Sequence, residues 1–207
     1  MSDDDWMQQL KQRKQQETGP ARQQQATTTG YAITFTLPSQ GTGMSLPGQE
    51  TPEFRYRRFV ELGRRGLELY EQGRLAEALA AYDEAIRLGE SLDLSVAEYR
   101  NVLASVYTSK GGALQALDNP QDLVAAIAAF DEAIRLRETL DLSVAEYRRI
   151  LTYTYIIKGI ALQALGTPQD LVAAIAAFDE AIRLGTTFDD LANAHDSKGN
   201  ALYALGT

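Results

Sequence analysis

The 207 residues contain one histidine and no cysteine, so the side chains that most often carry nucleophilic, acid–base or metal chemistry are nearly absent. Thiol nucleophiles, thiolate metal sites and disulfide frameworks are excluded outright. The histidine, His195, stands four residues before Gly199, in a slot that similar segments fill with Leu62, Tyr107 and Tyr155. No serine or ligand cluster is spaced to work with it, so it reads as a packing or capping residue. Acidic pairs recur at Asp83/Glu84, Asp131/Glu132 and Asp179/Glu180. Neighbours on a helix point about 100° apart, so these pairs are expected to face solvent and to meet Arg87, Arg135 and Arg183 one turn on. Such exposed pairs contribute roughly 0.3–0.5 kcal/mol each. The Gly-rich stretch "GTGMSLPG" from Gly41 lacks the Gly-Lys-Ser/Thr ending that holds phosphate and magnesium, and reads as linker. No catalytic residue, metal or cofactor is expected, and the chain is read as a non-enzyme.

Composition narrows the partners. A hydrophobic content of 44% suffices for a real core, whereas a formal charge of -8 opposes binding to nucleic acid or anionic membrane. The start "MSDDDWMQQL" has no secretory apolar stretch, and nowhere do about 18 apolar residues follow one another. A soluble, cytoplasmic protein is expected.

The segment 1–51 differs from the rest. Ten glutamines in the first fifty residues, with Thr, Gly and Pro, bury too little apolar surface to offset ordering, so a flexible tail is expected. Two stretches within it are candidate docking segments: 5–15, around Trp6, Met7 and Leu10, and 31–37, where Tyr31, Ile33, Phe35 and Leu37 alternate with smaller residues.

From residue 52 the pattern is helical throughout. Seven helices are expected, near 53–72, 75–90, 95–118, 120–138, 143–166, 168–186 and 189–205. "NPQD" at Asn119 and "TPQD" at Thr167 supply an N-cap, a proline at the first helical position and an acid facing the helix dipole. "SVAE" at Ser95–Glu98 and Ser143–Glu146 has the spacing of a capping box, and Gly73 and Gly166 mark short turns.

Most telling is repetition. "AAFDEAIRL" runs from Ala128 to Leu136 and again from Ala176 to Leu184, and "AAYDEAIRL" occupies Ala80 to Leu88, each 48 residues after the last. Repetition at such a period marks a stacked array. With "KGGALQAL" from Lys110, "KGIALQAL" from Lys158 and "KGNALYALG" from Lys198, the units resemble the tetratricopeptide repeat (TPR) over about three quarters of the chain. The "KG" segments look like its first helix and the nonapeptides like its second. The resemblance implies an all-α fold, a right-handed superhelical array of antiparallel hairpins with about 3.5 repeats. Its units would be 52–91, 92–139 and 140–187, with a terminal helix at 188–207. The family's usual unit is shorter; an added 11 residues is close to three helical turns, so helices longer than usual are expected. Small residues such as Ala126 and Ala174 would let helices approach, while Tyr82, Phe130 and Phe178 fill the space between layers.

The resemblance also implies a groove lined by the first helices. Carried over by offset from each glycine, its residues would be Val60, Leu67 and Tyr70; Ser105, Thr108 and Gln115; Tyr153, Ile156, Ile160 and Gln163; Asn193, Asp196, Asn200 and Tyr203. Apolar anchors mixed with amides and hydroxyls suit a protein or peptide partner better than a small substrate. Some relatives grip a chaperone's C-terminal carboxylate with basic and amide side chains, but Thr108, Ile156 and Ile160 occupy those offsets, so that ligand is not expected. Arg65, Lys110, Lys158 and Lys198 precede each glycine; they either salt-bridge neighbouring acids or form a ladder for an acidic partner. The implied role is an interaction scaffold, partly assisted by the tail. The alternatives are a homo-oligomer through array ends or tail, and a regulatory array attached to an enzyme.

Overall fold

The computed structural model describes residues 51–185 and 187–206, which form seven α-helices and no strand. The tail, with segments 5–15 and 31–37, lies outside the described residues. The helices are α1 (Pro52–Glu71), α2 (Leu75–Glu90), α3 (Ala97–Gln115), α4 (Pro120–Glu138), α5 (Ala145–Leu165), α6 (Pro168–Leu184) and α7 (Phe188–Leu205). Each packs chiefly on the helix before and after it, the contact pattern of an α-solenoid.

Local chemistry sets the second-helix starts. Asn119 accepts a hydrogen bond from the Asp122 amide at 3.1 Å and Thr167 one from the Asp170 amide at 3.2 Å, each with proline at the first helical position. Thr51 and Thr187 cap α1 and α7 in the same way. Gly73 and Gly166 turn the chain at φ 74° and 73°, a left-handed conformation that costs glycine nothing.

The two expected capping boxes do not form. α3 and α5 begin two residues later, after Val96 and Val144, with no side-chain cap. Asp93 intercepts the Ser95 amide at 3.0 Å and Asp141 the Ser143 amide at 2.9 Å, folding each Asp-Leu-Ser stretch into a turn. Glu98 does not reach back but accepts from the Tyr56 hydroxyl at 2.8 Å. Arg100 and Arg148 donate to carbonyls of these turns, and Leu92 and Leu140 are buried beneath them. The extra length of each unit is thus divided between helices of 16 to 21 residues, from α2 to α5, and an ordered connector.

Within each hairpin an aromatic ring of the second helix is seated on a glycine of the first, rather than filling the space between neighbouring pairs. A Cβ at Gly66 would lie 2.5 Å from the Tyr82 ring, one at Gly159 2.5 Å from the Phe178 ring, and one at Gly111 would press on the Phe130 ring in the same way. All three rings are 0% exposed. Around them the core is a chain of clusters rather than one centre: one spans α1 to α4, another surrounds Phe130 with Leu114 and Ala161, and a third surrounds Phe178 with Leu162 and Ala201.

Outside the core, the basic position before each glycine meets the acid of the preceding second helix. Lys110 pairs with Asp83 at 2.6 Å, Lys158 with Asp131 at 2.5 Å and Lys198 with Asp179 at 2.5 Å. The salt-bridge reading of this position therefore holds for the three lysines. Glu132 and Glu180 take Arg135 and Arg183 as expected, while Glu84 goes instead to Arg58 at 2.9 Å. These pairs are well exposed and add register more than stability, roughly 0.2–1 kcal/mol apiece.

The glycines predict opposite outcomes for one substitution. Gly159→Ala drives a methyl group into the Phe178 ring and should destabilise by about 1–3 kcal/mol. Gly199→Ala meets nothing within 4 Å, and its better helix propensity should stabilise by up to about 1 kcal/mol. Urea unfolding of the two variants checks both.

Candidate peptide-binding groove

Curvature follows from which helices touch. α1 meets α3, α3 meets α5 and α5 meets α7, whereas no two second helices pack to that degree. The first helices therefore form the crowded inner layer of the array, the side on which a groove would lie.

The fourteen groove residues read from the sequence divide by exposure. Leu67, Tyr70, Gln115, Tyr153, Ile160 and Gln163 are half-buried, and Asn193, Asp196, Asn200 and Tyr203 are exposed. Tyr203 reaches 88% exposure. Four differ from that expectation. Val60 (1% exposed) belongs to the core between α1 and its neighbours, and Ile156 packs with Ala181 and Ala194 where α5, α6 and α7 meet. Both side chains serve the core. Ser105 and Thr108 are also buried, at 8% and 4% exposed, and both accept hydrogen bonds from one buried residue of α4.

That residue is Arg137, on the last turn of α4 and 0% exposed. Its side chain passes between α3 and α5. Nη1 donates to Thr108 Oγ1 at 2.8 Å and to Thr154 Oγ1 at 2.5 Å, and Nη2 donates to Ser105 Oγ at 3.1 Å. Nε has no partner. No carboxylate faces the guanidinium among the described residues, and burial pushes its pKa down to about 9, with the Tyr153 phenol opposing that shift. The three hydroxyls also donate to their own helices, at Asn101, Ala104 and Ile150 carbonyls, so they offer Arg137 lone pairs only. The signal was present in the repeat register, where Gly89 and Gly185 hold the place of Arg137.

Tyr153 interacts electrostatically with this guanidinium and, in turn, with Tyr70. Burial raises the pKa of both phenols, and the two interact electrostatically although they come from the first and third first helices. Tyr107 and Tyr155, expected in packing slots, donate to Glu90 at 2.7 Å and Glu138 at 2.6 Å on the preceding second helices. His195, in the equivalent slot, is exposed instead. α6 ends at Leu184, short of the position equivalent to Glu138, and so presents no helix surface for the imidazole to lie against.

Among the described residues no group of His, Asp and Glu could hold a metal ion. The concavity on α1 and α2, lined by Arg58, Arg64, Glu68 and Glu84 with Leu62, is open and lined mainly by charged side chains, several of them in ion pairs.

Stacked antiparallel hairpins, with a ring of the second helix seated on a glycine of the first, make this a TPR-like α-solenoid. Among solved structures the chain is similar to the first TPR domain of Spaghetti (RPAP3), bound there to the HSP90 peptide SRMEEVD. The TM-score is 0.52 at 18% identity, covering 73% of this chain and 98% of that one. At that identity the likeness concerns the fold. No protein-family model and no curated protein matches the sequence.

Arg137 allows a stability prediction. Because the folded-state pKa is depressed, the charge penalises the fold in full below about pH 9 and the penalty fades as pH rises toward the ordinary guanidinium value. Arg137→Met leaves each hydroxyl bonded to its own helix and should stabilise by about 1–4 kcal/mol near neutral pH. The gap to wild type should narrow at alkaline pH, since losses from the buried tyrosines are common to both proteins. Chemical unfolding across a pH series measures it.

Proposed function

We propose that the chain is a non-enzymatic interaction scaffold that takes an extended or helical segment of a partner protein into the groove of its first helices. The observation that carries this reading is the character of the inner layer. Half-buried Leu67, Tyr70, Tyr153 and Ile160 alternate there with Gln115 and Gln163 and lead to the exposed Asn193, Asp196, Asn200 and Tyr203. Half-buried tyrosines lose little conformational entropy on contact and bring large areas with a polar tip, which favours peptide recognition. A related fold holding a peptide supports the same reading. No helix among the described residues is long and apolar enough to cross a membrane, and the formal charge of -8 disfavours a polyanionic partner.

A second reading, self-assembly, is favoured by α7. Phe188 is 85% and Tyr203 88% exposed there, and no atom lies within 4 Å of the place a Cβ would take on Gly199. A ring from a second copy would fill the place that Tyr82, Phe130 and Phe178 fill elsewhere. A monomer at millimolar concentration by light scattering contradicts this reading; a dimer lost in Tyr203→Ala supports it.

For the leading reading, peptides selected from a random display library against the full chain should lose affinity about tenfold or more, roughly 1.4 kcal/mol, in Tyr70→Ala and Tyr153→Ala. Val124→Ala and Val172→Ala, on exposed faces of second helices, should bind as wild type. Equal affinity in all four variants, measured by fluorescence anisotropy, would contradict the groove.

A further inference from the structure

We propose that Arg137 is a carboxylate receptor set behind the groove floor, with Ser105 as its gate. The inference deepens the groove reading and rests on it only for the source of the carboxylate.

The first argument is cost. A fully buried guanidinium without a carboxylate is among the least favourable arrangements a core can hold, and neutral hydroxyls offset it only in part. The chain has 28 acidic residues, none of which is bonded to Arg137 among the described residues. The equivalent positions, Gly89 and Gly185, show that the array closes without any side chain there; at Gly89 the space is already filled by Leu103 and Phe59. The second unit has instead been rebuilt to admit Arg137. Ser105 and Thr108 stand where the next unit has Tyr153 and Ile156, and Thr154 stands where the second unit has Val106. Four coordinated departures from the repeat converge on one cation.

The second argument is the edge left open. Of the five N–H donors of a guanidinium, Nη1 is occupied by Thr108 and Thr154 and Nη2 by Ser105 alone, while Nε has no partner. Nε and Nη2 form the side of the fork that grips a carboxylate through two parallel bonds. Thr108 and Thr154 thus hold Arg137 by its far side, while the gripping side is held by Ser105 alone.

The third argument is access. The Ser105 bond to Nη2, at 3.1 Å, is the longest of the three, Ser105 retains 8% exposure, and the half-buried Tyr153 interacts electrostatically with the guanidinium. Ser105 also donates to the Asn101 carbonyl at 3.0 Å, so its hydroxyl is not left unpaired when Nη2 leaves it for a carboxylate. Arg137 lies on α4, a second helix, and so outside the first-helix offsets that grip a chaperone tail in similar arrays.

The test uses the full chain with three probes at constant ionic strength: sodium acetate and the sodium salt of the blocked tripeptide acetyl-Gly-Glu-Gly-amide, each replacing sodium chloride, and the neutral Gly-Gln-Gly counterpart added with chloride retained. Thermal midpoints and the Arg137 Nε–H resonance are followed in wild type, Arg137→Met and Arg137→Gln. Acetate and the glutamyl peptide should raise the wild-type midpoint and shift the Nε–H signal, the glutaminyl peptide should do neither, and both variants should stay flat. No movement in wild type, or equal movement in the variants, overturns the receptor. A half-response to the glutamyl peptide at a concentration about tenfold below that for acetate assigns the carboxylate to a peptide in the groove. Equal concentrations assign it to a free small carboxylate, leaving the receptor intact and removing it from the peptide reading.

Discussion

Everything in this array depends on the seating of one aromatic ring on one helical glycine per layer. A glycine removes the only side chain that would hold two helices apart, and a ring 0% exposed fills the space so gained. Tyr82, Phe130 and Phe178 each make this contact at the same register, which is why the nonapeptides that carry them are nearly identical. The alanines around them, such as Ala78, Ala126 and Ala174, are fully buried for the same reason. Exposed lysine–aspartate pairs and tyrosine–glutamate hydrogen bonds then set each layer's position on the preceding one, at little energetic gain. The layers are alike in these contacts and differ chiefly where Arg137 enters.

That difference is instructive because it runs against stability. Repetition of the Gly89 and Gly185 pattern would have left an apolar joint between α4 and its neighbours. The chain instead buries a cation among Ser105, Thr108 and Thr154 in the middle of its inner layer. Departures from local consistency that weaken a fold concentrate where a protein does something. The half-buried Tyr153 interacts electrostatically with Arg137 and with Tyr70, which links the buried cation to the inner layer of first helices.

How far the sequence disclosed this depended on how local the interactions were. The ends of α4 and α6 were legible because Asn119 and Thr167 cap amides three residues away and proline marks the next position. The start of α3 was not, because Glu98 is drawn to Tyr56, 42 residues distant in the chain, and Asp93 competes for Ser95. Of the positions carried over by offset, those on α7 are exposed and three of the four on α5, Tyr153, Ile160 and Gln163, are half-buried. Ser105 and Thr108 are buried because their register packs against neighbouring helices, as Val60 and Ile156 do at the same offsets, and His195 is exposed because α6 ends at Leu184. Comparing copies position by position, rather than seeking shared residues, would have exposed Arg137.

The central claim is that stability is local to each ring-and-glycine joint and passes only between neighbouring layers. Amide hydrogen exchange on Phe178→Ala tests it most directly. Loss of protection concentrated in α5, α6 and α7, with α1 and α2 retaining theirs, is the result that follows from a linear array. Equal loss across all seven helices would mean a single closed core and would contradict the account.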